Sequence, residues 1–130
     1  MKPATRDWVR KAEHDYLAAV DLARRRKLPV YDTVCFHAQQ SAEKYLKARM
    51  EEAGMSIPRT HDLEDLLNQL LSIEPRWALF RAALQTLSDF AVDFRYPGQS
   101  AAKTQARQAL ADCTLVRREV RLRLGIRDRG

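Results

Sequence analysis

The sequence predicts an all-α protein, an antiparallel up-and-down bundle of about five helices in a single domain. Three observations carry that prediction. Apolar residues recur with a 3.6-residue period almost throughout the chain. No segment alternates apolar and polar residues over strand length, and clusters of Val, Ile and Thr are scarce. The connections between periodic segments are short, which places consecutive helices antiparallel to one another.

The first helix is expected from about Thr5 to Arg26, with Trp8, Ala12, Tyr16, Ala19 and Ala23 on its inner stripe. Pro29 ends that run, because it lacks an amide donor and disfavours a helical residue before it. The second covers about Tyr31 to Ala53 and turns Val34, Cys35, Ala38, Ala42, Tyr45 and Leu46 to one face. Ala38 and Ala42 sit at the middle of that face, where a neighbour can approach closely. Gly54 is placed to stop the helix.

"MSIPRT" reads as a loop, and Thr60 as the N-cap of a third helix. Its stripe of Leu63, Leu66, Leu67, Leu70 and Leu71 follows i, i+3, i+4, i+7, i+8. Pro75 suits the first turn of a fourth helix. That helix is expected to bury Leu79, Phe80, Ala83, Leu84, Leu87, Phe90, Ala91 and Phe94 before "RYPG" ends it. Ser100 is expected to cap a fifth helix with Ala102, Ala106, Ala109, Cys113, Val116, Val120 and Leu124 inside.

The chain has 130 residues, 45% of them hydrophobic, enough for one compact core. No apolar run approaches the ~20 residues of a membrane span. The charged start "MKPATRDWVRKAEHD" has no signal-peptide character, so a cytoplasmic protein is expected. Cys35 and Cys113 fit no metal or redox spacing and read as buried free thiols. The net charge of +6 concentrates in "ARRRKL" and in "VRREVRLRLGIRDRG". That excess suits either a solvated basic face that complements helix dipoles or a surface for phosphates.

One face of the second helix stands out. Phe36, His37, Gln40, Lys44 and Lys47 fall within about 100° on the helical wheel, opposite the apolar stripe. Glu43 and Lys47 make a favourable i,i+4 pair, but an aromatic on a polar face implies that a helix, a subunit or a ligand covers it. Phe36, His37 and Lys47 are therefore interface candidates. "RTHDL" brings His61 to the start of the third helix, and "FRYPG" brings Arg95 and Tyr96 to the end of the fourth. With Gln40 and Lys44 these are candidates for a nucleotide or anion site. Lys44 and Arg95 would take phosphate, Tyr96 would stack, and Gln40 or His61 would make polar contacts. There is no Gly-rich phosphate loop, His-x(3)-His pair or nucleophile elbow, so no metal and no catalytic residue is assigned.

"FHAQQSAEKYLKA", "THDL" and "RYP", with the opening "DWVRKAEHDYLAA", resemble the HEPN (higher eukaryotes and prokaryotes nucleotide-binding) family. The likeness runs from about Asp7 to Leu124, which leaves a short basic tail at 125–130. The resemblance implies a helical bundle that pairs into a homodimer. It also implies a minimal nucleotidyltransferase as partner, in a toxin–antitoxin-like pair, with a nucleotide such as ATP or GTP as ligand and no fixed cofactor. Some members cleave RNA through Arg-x(4–6)-His. None of the three histidines here has an arginine at that spacing. A binding and interaction protein is thus expected. The alternatives are a ribonuclease toxin with His61 and Arg95 as a displaced pair, or a nonspecific RNA- or DNA-binding protein using the Arg-rich C-terminus.

Overall fold

The computed structural model describes residues 1–127, and every element among them is helical. The α-helices are α1 (Pro3–Ala23), α2 (Tyr31–Glu52), α3 (Leu63–Leu70), α4 (Arg81–Asp93) and α5 (Lys103–Arg123). A 3₁₀ segment, Pro75–Phe80, precedes α4.

Helix α2 is the centre of the bundle. Its Val34, Cys35, Ala38, Ala42, Tyr45 and Leu46 are fully buried, against Leu63, Leu66, Leu67 and Leu70 of α3 and the inner faces of α1 and α5. Small side chains (Ala12 and Ala19 on α1, Ala38 and Ala42 on α2) are all fully buried where backbones can approach. Helix α1 runs antiparallel to α2: Thr5 Oγ1 donates to Glu52 at 2.9 Å, while Glu13 meets Tyr45 further along. Helix α5 runs with α2, since Ala101 N donates to Asp32 at 2.6 Å and Arg123 shares Glu74 with Arg49 at the other end. Helix α4 returns between them, from Arg81 beside Glu64 to Phe94 beside Asp32 and Thr33.

Gly54 ends α2 as expected. Its φ of 72° is left-handed, and Met55 N reaches Met50 O at 3.0 Å while Gly54 N reaches Glu51 O at 3.0 Å. Helix α1 ends at Ala23, short of the expected Arg26; three further boundaries differ from expectation, each for a local reason. Asp62, not Thr60, caps α3; its carboxylate accepts from Glu64 N at 2.9 Å, and Thr60 Oγ1 accepts from Asp62 N at 3.0 Å. An ionised acceptor is favoured at the positive end of the helix.

Pro75 opens a 3₁₀ turn in place of the first turn of α4. The three-residue repeat puts Trp77 and Phe80 on one side, both buried, with ring centroids 6.0 Å apart. The same register turns Leu79 outward, so it is exposed and not in the core. Ser100 does not cap α5. The chain is drawn onto α2 by the Ala101–Asp32 bond, and Ala102 becomes the N-cap position, where Gln105 Oε1 accepts its N–H at 2.8 Å. Both cysteines are buried and free. Among the described residues no helix is long and apolar enough to cross a membrane.

Candidate functional site

The polar column on α2 divides into two groups. Asp15 of α1 takes one: its carboxylate lies 2.8 Å from His37 Nδ1 and accepts a hydrogen bond from Lys44. Lys47, expected on an outer interface, is only 5% exposed. Its ammonium lies 3.2 Å from Glu43 and 5.8 Å from the centroid of the Trp8 ring. Helix α1 therefore covers the edge of the column that carries Lys47. A wheel for one helix cannot show where the next one lies. Phe36 remains 44% exposed, with its ring edge-on to His37 at 5.3 Å.

The other group opens onto a groove of about 650 Å³ between α2, the entry to α3, and α4. Gln40, His61 and Arg95 line it together, with Phe36 at its edge and Ala91 and Val92 on the α4 wall. Residues from three separate sequence motifs thus share one surface. Lys44 and Tyr96 are not part of its lining.

Two further groups, Glu43 and Gln39, complete the arrangement. Glu43 is buried, and its carboxylate lies 3.0 Å from His61 Nδ1, while His61 itself is 77% exposed. Gln39 braces the pair, donating to Glu43 at 3.3 Å and to the His61 carbonyl at 3.3 Å, and Gln40 donates to Gln39 at 2.7 Å. A carboxylate at Nδ1 fixes the imidazole's orientation and leaves Nε2 to accept or donate a proton. Nothing local in the sequence marks Glu43, because its pairing with Lys47 looks like an ordinary surface pair.

The groove's charge is mixed. Asp62, Glu64 and Asp89 line it alongside Arg95. Asp62 is committed to capping α3, and Glu64 to Arg81 and Gln85. The hydrogen bond from Gln85, then that from Arg81, holds the Glu64 carboxyl below its ordinary range. Among the described residues no group of three or more His, Cys, Asp or Glu is arranged to hold a metal.

Fold and groove together define a small helical-bundle protein with a polar cleft bounded by its second and fourth helices. A sequence profile of the HEPN domain matches residues 5–123, and the chain belongs to that family. It is similar to TT1696 from Thermus thermophilus, at 26% identity and a TM-score of 0.80, covering 93% of this chain and 98% of that one. An archaeal HEPN homologue, ST0689, shares the fold at 22% identity and a TM-score of 0.69, covering 95% and 99% of the two chains. No functionally curated protein matches the chain.

Proposed function

We propose that this protein is a HEPN-type interaction module of the cytoplasm that forms a homodimer and engages a minimal nucleotidyltransferase in a toxin–antitoxin-like pair. The observation that carries this reading is the uncovered apolar rim of the groove, where Phe36 stays partly exposed beside exposed Val92. An aromatic left in water next to a concave surface favours a protein partner. Lys44 is already committed to Asp15, which leaves Arg95 as the cation among the groove's lining residues. A nucleotide such as ATP or GTP would bind there through Arg95, with Gln40 and His61 at the base, and its phosphates would meet repulsion from Asp62, Glu64 and Asp89.

The test is co-expression with a minimal nucleotidyltransferase, followed by size-exclusion chromatography with light scattering. Wild type is expected as a dimer that co-elutes with the partner, and Phe36→Asp as a monomer that has lost it. Separate elution at micromolar concentration would defeat the partner assignment, and a monomeric wild type would defeat the dimer.

A second reading is favoured by one geometric fact: His61, with Glu43 on Nδ1, lines the same groove as Arg95. An oriented imidazole and a guanidinium are the groups that metal-independent phosphodiester cleavage needs. On this reading His61→Asn lowers cleavage of a mixed RNA by about 100-fold or more, within the range general acid–base catalysis contributes (about 10²–10⁴). RNA left intact by the wild-type protein, free of any antitoxin, would eliminate it.

A further inference from the structure

Among the described residues, some basic side chains are held in ion pairs and others, spread over the surface, are exposed without one; four of the latter are consecutive in a single connection. At the C-terminal end of α5 the arginines are largely internal fasteners. Arg117 pairs with Glu13 at 2.6 Å, Arg121 lies 3.8 Å from the same carboxylate, and Arg123 pairs with Glu74 at 2.9 Å. The opposite end of the bundle differs. The α1–α2 connection carries Arg24, Arg25, Arg26 and Lys27, the α4–α5 connection carries Arg95, and α5 opens on Lys103. All six side chains are exposed, and none has an ion pair among the described residues.

These two connections meet at the first turn of α2. The 24–30 segment runs directly into it, Ala101 N donates to its Asp32, and Phe94 and Arg95 line a small cleft with Asp32 and Thr33. The carboxylates nearby are Asp21, Asp32, Asp93 and, in the groove that Arg95 also lines, Asp89; Asp32 is occupied by the Ala101 amide. Two helix N-termini and two C-termini also meet here, so their dipoles largely cancel and the side chains set the field. Tyr96, next to Arg95, is exposed, and Leu28 is 80% exposed with a left-handed φ of 49° that is unusual for a residue with a Cβ.

We propose that this end of the bundle is a docking site for the phosphate backbone of single-stranded nucleic acid, with Tyr96 as a stacking surface for a base. Cations on two converging connections, with an exposed aromatic beside Arg95 on one of them, match what backbone tracking and sequence-tolerant stacking require. An anionic membrane surface is less well served, because Leu28 is a single aliphatic anchor and not an apolar face. An acidic protein partner is the competing occupant, because Phe36, Phe90, Ala91 and Phe94 line the adjoining cleft, and the polyglutamate arm of the test separates it. The proposal shares Arg95 with the α2–α4 groove but does not otherwise rest on the reading of that groove.

The test is fluorescence anisotropy with labelled oligo(U) and oligo(dT), from about 50 to 200 mM salt. The variants are Arg24→Ser/Arg25→Ser/Arg26→Ser, Tyr96→Ala, and the control Arg118→Ser/Arg127→Ser, each checked for helicity. Neutralising three phosphate contacts is expected to flatten the log–log salt slope by about two, at about 0.7 per contact, and to weaken binding at least about tenfold at the lowest salt. Tyr96→Ala weakens binding about fivefold or more with the slope unchanged. The control behaves as wild type. Binding to either oligonucleotide in this pattern supports the site, and the better of the two tells RNA from DNA. No binding to either at the lowest salt, a flattened slope in the control alone, capture by phosphatidylserine vesicles without oligonucleotide binding, or displacement by polyglutamate at equal charge would each overturn it.

Discussion

Glu43→Ala is expected to cost about 3–5 kcal/mol of stability, the range measured when one partner of a buried ion pair is removed. The reason lies in what stays behind. Lys47 is buried beside α1, and without Glu43 its ammonium keeps only the face of Trp8, 5.8 Å away. A ring quadrupole does not replace a carboxylate in a desolvated site. Gln39 and His61 lose an acceptor as well. For a domain whose total stability lies in the usual range of about 5–15 kcal/mol, such a loss approaches unfolding. The double variant Glu43→Leu/Lys47→Met removes both charges and is expected to recover most of the loss, because the desolvation cost disappears with the pair. Urea unfolding of the wild type and both variants measures this. A single variant within about 1 kcal/mol of wild type would mean that Lys47 reaches water by a small rearrangement.

Glu43 also links stability to the candidate site, since the carboxylate that neutralises Lys47 orients His61. The double variant should therefore fold with a free imidazole. A loss of groove function in that folded variant would separate the His61 orientation from the integrity of the bundle. The comparison is useful because the single variant cannot distinguish the two.

The parts of the fold legible in the sequence are those set by one helix at a time. The leucine spacing of α3 places Leu63, Leu66, Leu67 and Leu70 in the core, and all four are fully buried. Gly54 marks a helix end because a left-handed residue is needed there. Features that depend on two elements are not legible in this way. Lys47 reads as surface until α1 is laid over it. Leu79 reads as core until Trp77 and Phe80 impose a three-residue repeat on the turn that holds them. Arg117, Arg121 and Arg123 read as a basic surface until Glu13 and Glu74 are found opposite them. The candidate site behaves likewise. Gln40, His61 and Arg95 come from three motifs far apart in sequence; their chemistry makes them candidates for one site, but their meeting in space is set by the packing of α2, α3 and α4. Glu43 and Asp15 stayed hidden because their partners lie 18 and 22 positions away.

Glu13→Gln is expected to cost about 2–3 kcal/mol at neutral pH, within the range for hydrogen bonds to charged groups. Glu13 accepts from Arg117 Nε at 2.9 Å, Arg117 Nη2 at 2.6 Å and the Tyr45 hydroxyl, so one carboxylate joins α1, α2 and α5. Burial pushes its carboxyl upward, but the hydrogen bonds from Arg117 and Tyr45 and the nearby guanidinium charges outweigh burial and hold it below its ordinary 4.5. Glu74 behaves in the same sense: burial raises it, while Arg123 and Arg49 pull it down further. A carboxylate depressed on folding stabilises the native state above its unfolded value, and that stability is lost as pH falls through the folded value. Stability carried by these two groups should thus be nearly constant from about pH 7 to 5 and decline below about 4.5. The Glu13→Gln variant lacks one of the two protonations, so its decline should be shallower and its deficit against wild type should narrow by about pH 3. Urea midpoints at neutral pH and at about pH 5 and 3 would show this. A deficit of the same size at all three values would mean that Glu13 acts through packing, and that the charge of the α1–α2–α5 junction contributes nothing to holding it together.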